Sequence, residues 1–133
     1  MQTDMLTQYV IEVPNEPGML AGVTEVLAKH KISINGLMSA SVGESASIQF
    51  LAPKDSGLRI KLERSGIPVK ENEVFHVEIP NRVDELYKLA KKLGKENINI
   101  LSLYGSVDGR KVKLLLVVDL PQDAGLVLKR LRL

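Results

Sequence analysis

Residues 10–27 read VIEVPNEPGMLAGVTEVL: a short apolar run, a proline–glycine pair and then an amphipathic segment. Pro17 suits a first helical turn because its missing N–H would have no intrahelical partner there. The pattern therefore predicts a helix that begins at Pro17. Gly18 has no side chain, so we expect the amides of that turn, at the positive end of the helix dipole, to remain accessible to a carboxylate. Taken alone, the stretch also fits an ordinary strand-to-helix turn.

The first half of the chain predicts the element order βαββαβ. Polar and apolar residues alternate in the predicted strands, whereas apolar residues recur at helical spacing after Pro17. Asp55 or Ser56 is the expected cap of the second helix, and Gly66 is expected just past its end. The predicted elements are strands over 7–13, 32–42, 46–52 and 67–70, a hairpin turn over 43–45, and helices over 17 to about 30 and from about 56.

The second half of the chain repeats the first. Val13-Pro14-Asn15 recurs as Ile79-Pro80-Asn81, and Ile32-Ser33-Ile34 recurs as Ile98-Asn99-Ile100, each 66 residues later. Such self-similarity indicates that one structural unit is used twice. We expect two small domains, over residues 1–71 and 72–133.

The two copies differ in ways that bear on function. Val83-Asp84 stands in place of Pro17-Gly18, so we expect the Asp84 carboxylate to occupy the anion position of the second copy. Pro121 lies 68 residues after Pro53, whereas the earlier matches are 66 residues apart. This difference predicts two extra residues near the second hairpin. No residues follow the last predicted helix to form a final strand. We therefore expect residues 74–79 to lie at a sheet edge that another chain covers.

Composition limits the possible classes of protein. The 133 residues are 44% hydrophobic with a net charge of +2, which favours globular domains without a nucleic-acid partner. The absence of cysteine excludes disulfides and thiolate metal sites. The sequence contains no apolar run long enough for a membrane helix and no signal-peptide pattern at its start, so a cytoplasmic protein without membrane attachment is expected.

Catalytic and metal-binding patterns are not found in the sequence. His30 and His76 are isolated histidines, whereas a metal site needs several converging ligands. No arrangement of residues activates a nucleophile, so we expect no enzyme activity, no catalytic residue, no metal and no cofactor. Four lysines at helical spacing fit a solvated helix face better than a phosphate-binding stripe: Lys88, Lys91, Lys92 and Lys95.

The run Asn15-Glu16-Pro17-Gly18-Met19-Leu20 between a strand and a helix, followed by Ile32-Ser33-Ile34, resembles the ACT domain, a small-molecule-binding regulatory module of amino-acid metabolism. The first copy is similar to acetolactate synthase regulatory subunits and to the serine-sensing domain of phosphoglycerate dehydrogenase. The resemblance implies an α+β fold, a ferredoxin-like βαββαβ sandwich in two tandem repeats, with the second repeat lacking its last strand. It also implies an amino acid bound at an interface between ACT units.

The resemblance also implies a set of site residues. Asn15 matches the loop asparagine that contacts ligand, Gly18 matches the glycine that leaves room for it, and Ser33 stands where the family often has a second asparagine. The implied ligand-binding residues of the first repeat are Asn15, Pro17, Gly18, Met19, Leu20 and Ser33. In the second repeat Asn81 and Asn99 match, whereas the glycine is lost, which makes this the weaker candidate site.

Two functions are compatible with these observations. The first is an amino-acid-binding regulatory protein in which the ligand carboxylate binds the N–H groups of Gly18 and Met19, and the chain acts as a homo-oligomer, expected to be a dimer. The second is a regulatory subunit that docks to a separately encoded metabolic enzyme, with the ligand optional. The sequence alone does not distinguish between the two.

Overall fold

The computed structural model describes residues 6–54 and 57–130. The chain divides into two compact units, Met1–Asn72 and Glu73–Leu133, one residue beyond the boundary expected from the repeat. Each unit places helices on one face of an antiparallel sheet. The α+β fold predicted from the sequence is confirmed, as two consecutive ferredoxin-like units.

The first unit has the predicted βαββαβ order. Its sheet has the strand order β2-β3-β1-β4, in which Tyr9 of β1 lies opposite Phe50 of β3. The elements are β1 (Leu6–Pro14), α1 (Met19–Lys29), β2 (Gly36–Val42), β3 (Ser45–Pro53), α2 (Leu58–Arg64) and β4 (Lys70–Glu73).

The core of the first unit lies between the sheet and its two helices. Alternate residues of β1 and β3 point to this side and are buried, as are two leucines one turn apart in α2. The rings of Tyr9 and Phe50 stack with their centroids 5.2 Å apart. The buried residues of this core are Tyr9, Ile11, Val23, Leu27, Ile48, Phe50, Ala52, Leu58, Leu62 and Val69.

Three predicted boundaries are wrong, two of them for the same reason. Lys31 and Gly66 follow α1 and α2 with positive φ angles of 56° and 82°. This turn directs the next amide back to the helix, so Ile32 donates to the Leu27 carbonyl at 2.9 Å and Ile67 donates to the Leu62 carbonyl at 3.0 Å. The following strands therefore begin later than predicted, at Gly36 and Lys70.

The third wrong boundary is the start of α1. The helix begins at Met19 and not at Pro17, and Gly18 is the N-cap residue with φ of +88°. Residues that carry a side chain rarely adopt this φ, so the backbone strongly favours glycine at this position. The prediction that Gly66 follows α2 is confirmed, whereas the expected cap residues Asp55 and Ser56 lie outside the described residues.

The second unit repeats this arrangement up to its second helix. Its sheet has the strand order β5-β7-β6, so β5 is an edge strand and no fourth strand occurs among the described residues, as predicted. The elements are β5 (Phe75–Pro80), α3 (Glu85–Lys95), β6 (Ile100–Asp108), β7 (Lys111–Val118) and α4 (Pro121–Arg130).

The backbone of the two units matches at an offset of 66 residues. Gly43 and Gly109 form the hairpin turns with φ of 61° and 63°, and each hairpin has a two-residue loop. Asn97 has a φ of 62°, like Lys31, and ends α3 in the same way. The prediction of two extra residues near the second hairpin is therefore wrong.

Candidate functional site

The loop between β1 and α1 is fastened to the β2–β3 hairpin by Asn15. Its backbone N–H donates to the Glu44 carbonyl at 2.8 Å, and its side-chain Nδ2 donates to the Gly43 carbonyl at 3.1 Å. The amide oxygen of Asn15 accepts no hydrogen bond within the described residues. Asn15 therefore positions this loop and retains an acceptor for an external group.

The second unit has the same fastening. Asn81 donates from its backbone N–H to the Arg110 carbonyl at 2.7 Å and from Nδ2 to the Gly109 carbonyl at 3.4 Å. Asn99, the other predicted residue of this unit, lies elsewhere: its N–H donates to Asp119 Oδ1 at 2.9 Å, and its carbonyl accepts from the Asp119 amide. The structure therefore gives Asn81 a clear loop-positioning role and does not bring Asn99 beside it.

The start of α1 presents three unpaired backbone donors. Met19 donates to the Glu16 carbonyl at 3.4 Å, and Gly22 donates to the Gly18 carbonyl at 3.0 Å. The N–H groups of Gly18, Leu20 and Ala21 donate to no atom of the described residues, and no side chain caps the helix. Of the two amides to which the sequence argument assigned the anion, Gly18 is therefore unpaired and Met19 is not, while Leu20 and Ala21 add two further unpaired amides.

An open groove of about 650 Å³ lies beside α1, between the end of β1 and the loop over residues 65–68. Its volume is within the range of small-molecule sites. Among the predicted site residues only Met19 lines it; Asn15, Pro17, Gly18, Leu20 and Ser33 do not.

Three residues of α1 that the sequence argument did not identify also line this groove. Gly22 leaves the groove wider than a larger residue would, because a Cβ built at that position meets no atom within 4 Å and would occupy open space. Glu25 and Lys29 add one charge of each sign. An isolated glycine inside a helical pattern was the only sequence signal for this feature.

Ser33 lies apart from this groove. It is exposed, in the segment that links α1 to β2. Two residues later, Asn35 donates to the Leu51 carbonyl at 2.7 Å, and the chain then enters β2. Within one unit, Ser33 therefore does not complete the site around α1.

In the second unit, the loop before α3 and the β6–β7 hairpin carry a different charge from the matching loop and hairpin of the first unit. A cleft of about 480 Å³ is lined by Pro80, Asn81, Arg82, Gly109 and Arg110. Asp84, the N-cap residue of α3, makes no capping hydrogen bond. Its Oδ2 lies 3.2 Å from Lys88 Nζ, and the hydrogen bond from Lys88 lowers the pKa of the Asp84 carboxyl. The expectation that this carboxylate occupies the anion position on the helix amides is therefore wrong.

The described residues contain neither a cluster of metal ligands nor a membrane-spanning helix. No group of three or more histidine, aspartate or glutamate residues is arranged to hold a metal ion over residues 6–54 and 57–130. Over the same residues, no helix is long and apolar enough to cross a membrane.

The comparison with known families agrees with the geometry of the first unit. The family model described as "ACT domain" matches residues 9–64, from within β1 to the end of α2. The first unit matches the ACT family over most of its length. The resemblance inferred from the sequence is thus confirmed for these residues, and the match supports a small-molecule-binding regulatory role.

Solved structures resemble this chain over most of its length. A protein from Bacteroides thetaiotaomicron superposes with a TM-score of 0.82 at 23% identity, covering 95% of this chain and 88% of that one. The aspartate kinase regulatory subunit from Thermus thermophilus gives 0.63 at 16% identity, with coverages of 96% and 92%. The one from Thermus flavus gives 0.66 at 16% identity, with 97% and 93%. These identities establish the fold alone. No curated protein matches the sequence.

Proposed function

We propose that this protein regulates amino-acid metabolism by binding an amino acid at an interface between ACT units. The observation that supports the proposal is the uncapped start of α1, where the N–H groups of Leu20 and Ala21 have no acceptor among the described residues. These donors lie at the positive end of the helix dipole, which favours a carboxylate. In this proposal the protein is cytoplasmic and works as a homodimer.

The polar groups of the loop suit the two ends of an amino acid. The ligand carboxylate accepts from Leu20 and Ala21, and its ammonium group donates to the Asn15 amide oxygen and to nearby carbonyls. The ligand side chain lies along Met19, toward the groove beside α1. Ser33 is exposed, and we assign it to contact with a ligand that is held by a neighbouring unit.

Regulation follows from a ligand shared between units. A ligand that contacts two units binds the paired state better than the separate units, so it shifts the population toward the paired state. The size of the shift is set by the difference in affinity between the two states.

The experiment is a thermal-unfolding screen of the full chain with each of the twenty amino acids. A ligand at a hundred times its dissociation constant adds about 2.7 kcal/mol to the free energy of unfolding. Gly18→Asn and Gly18→Asp form a matched pair, because both side chains tolerate a positive φ and have nearly the same shape. We expect Gly18→Asn to retain the response and Gly18→Asp to lose it through charge repulsion. The proposal fails if no amino acid stabilises the protein, or if Gly18→Asp responds like Gly18→Asn.

A second candidate function is a regulatory subunit that docks to a separately encoded metabolic enzyme. The unpaired edge of β5, among the described residues, favours it, because exposed strand edges pair with other chains. The test is co-purification from native extract, followed by assay of the recovered enzyme with and without this protein. Recovery of this chain alone would count against docking.

A further inference from the structure

The cleft in the second unit, with a volume of about 480 Å³, carries two positively charged side chains. Its lining residues are Pro80, Asn81, Arg82, Gly109 and Arg110. Three of the five are identical to the residues 66 positions earlier in the chain, whereas the two arginines replace Glu16 and Glu44. The two units therefore share the residues that shape this surface and differ in the charged residues on it. We name this cleft the arginine cleft.

The backbone brings the two arginines of the cleft together. Arg82 lies in the loop before α3, and Arg110 lies in the β6–β7 hairpin. The N–H of Asn81 donates to the Arg110 carbonyl at 2.7 Å, so the residue before Arg82 is hydrogen-bonded to Arg110 itself. The Asn81 side chain donates to the Gly109 carbonyl at 3.4 Å and joins the same two segments. The two side chains therefore start from neighbouring points of the backbone.

Both guanidinium groups have donors available to an external group. Arg110 is exposed and forms no ion pair or side-chain hydrogen bond within the described residues. Arg82 Nη2 donates to Glu85 Oε2 at 3.1 Å, which uses only part of the five N–H donors of a guanidinium group. The Glu85 side chain is 12% exposed, so this contact ties Arg82 to a largely buried carboxylate.

The charges around the arginine cleft leave an excess of positive charge. Ion pairs connect Arg82 to Glu85, Glu85 to Lys88 at 3.7 Å, and Lys88 to Asp84 at 3.2 Å. These four charges balance one another, so Arg110 adds a positive charge that no carboxylate of the described residues pairs with. Neither Asp84 nor Glu85 lines the cleft.

This arrangement favours a phosphate group as the ligand. A guanidinium group presents a planar fork of donors that pairs with two phosphate oxygens. A phosphate monoester has three terminal oxygens and a charge of about −1.5 to −2 at neutral pH, so it can accept from two guanidinium groups on different segments. At the matching surface of the first unit, the carboxylates of Glu16 and Glu44 would repel the same group.

We propose that the arginine cleft binds the phosphate group of a small phosphorylated metabolite. Arg82 and Arg110 donate to the phosphate oxygens, and Asn81 sets the spacing between the loop and the hairpin. The volume of the cleft suits a small molecule, whereas nucleic acid requires an extended basic surface, which is not expected in a chain with a net charge of +2. The inference goes beyond the proposed function, because it gives the second unit a different class of ligand.

NMR of the full chain measures this binding, with inorganic phosphate and glycerol 3-phosphate as the probes at constant ionic strength. We expect the amide signals of Asn81 and Gly109 to shift to saturation and to give a dissociation constant. The signals of Asn15 and Gly43 should not shift, because the surface around them carries glutamates. The first unit is therefore an internal control within the same sample.

Substitution of the arginines tests their role. Arg82→Gln and Arg110→Gln should each raise the dissociation constant by roughly 10-fold, because a charge-assisted hydrogen bond is lost. Arg110→Lys should raise it less, because lysine keeps the charge but not the fork of donors. The matched control for the double glutamine variant is Lys54→Gln with Lys92→Gln, which removes two positive charges at other exposed positions. It should leave the dissociation constant within about threefold, since separated surface charges are largely screened.

The matching surface of the first unit allows a gain-of-function test. Glu16→Arg with Glu44→Arg places two arginines beside the same proline, asparagine and glycine that shape the arginine cleft. We expect this variant to bind phosphate at two sites, with the signals of Asn15 and Gly43 now shifting in addition to those of the second unit.

Three results would overturn the inference. The first is phosphate that shifts neither pair of signals in the wild-type chain, or that shifts both pairs equally. The second is a lysine control that weakens binding as much as the double glutamine variant does, since binding would then depend on net charge. The third is succinate or a single-stranded oligonucleotide that binds the same residues more tightly than glycerol 3-phosphate. The amino-acid screen is a separate measurement, so the proposed function can stand or fail independently of these results.

Discussion

Gly18→Ala and Gly22→Ala, both near the start of α1, should change the free energy of unfolding in opposite directions. Gly18 is the N-cap residue with φ of +88°, whereas Gly22 lies inside the helix. A Cβ built at either position meets no atom within 4 Å, so steric contact contributes nothing in either case. The backbone conformation alone decides the sign of each effect.

The expected magnitudes follow from that difference. Gly18→Ala places a side chain in the left-handed region, which costs about 1–2 kcal/mol, and part of this is offset by the stiffer unfolded chain. We expect a net loss of about 1 kcal/mol in the free energy of unfolding. Gly22→Ala should add about 0.8–1 kcal/mol, because alanine is the better helix former. Gly18→Asn should cost less than Gly18→Ala, because asparagine tolerates a positive φ.

Urea unfolding of the full chain, followed by far-ultraviolet circular dichroism, measures these differences, with thermal unfolding as a second assay. A change of 1 kcal/mol in a domain of this size shifts Tm by roughly 4–8 °C. The reasoning is refuted if Gly18→Ala is neutral or stabilising while Gly22→Ala destabilises. Gly18 would then not be the cap, α1 would begin elsewhere, and the accessible amides would not be those of Leu20 and Ala21.

Three further predictions concern both units. Lys31→Gly should raise the free energy of urea unfolding by about 0.5–1 kcal/mol, because Lys31 has a positive φ that glycine adopts without strain. Phe50→Ala should lower it by about 3–5 kcal/mol, since the ring is fully buried against Tyr9. Lys88→Gln should raise the pKa of Asp84 in an NMR titration. Because that pKa is lowered in the folded state, the Asp84 contribution to stability is present above the ordinary carboxyl pKa and lost as pH falls through the lowered value. The variant should lose the part of this dependence that Lys88 causes, while the backbone hydrogen bond to Asp84 retains the rest.

The repeat was the most informative feature of the sequence. Matching residues 66 positions apart predicted that the second unit repeats the element order of the first. The strand starts were wrong because Ile32 alternates with polar residues, and Ile67 is spaced two residues from Val69, as in a strand. The amides of Ile32 and Ile67 nevertheless close the preceding helices. The turn at Lys31 could not be predicted, because lysine in the sequence does not indicate a positive φ.

The candidate site was predictable only in part. The proline–glycine pair correctly predicted the loop. The same pair is compatible with a helix whose first residue is Pro17 and with a helix whose cap is Gly18. The position of the helix start decides which amides are accessible. The role of Asn15 depends on a carbonyl 28 residues away, at Gly43, which local pattern does not reveal. The groove beside α1 was missed because it forms where a loop near α2 approaches the first helix.

The two units share features of the backbone and differ in the residues near the start of the first helix. Both units keep the asparagine fastening and the hairpin glycine, which fix the loop before the first helix against the hairpin, and both keep the positive φ that ends this helix. The substitutions between them change what this loop and hairpin present: Pro17-Gly18 becomes Val83-Asp84, and Glu16 and Glu44 become Arg82 and Arg110. Because the backbone is common, the charge at the helix start is the property in which the units differ. In the proposed function, that difference favours the first unit for binding a carboxylate and the second as its pairing partner.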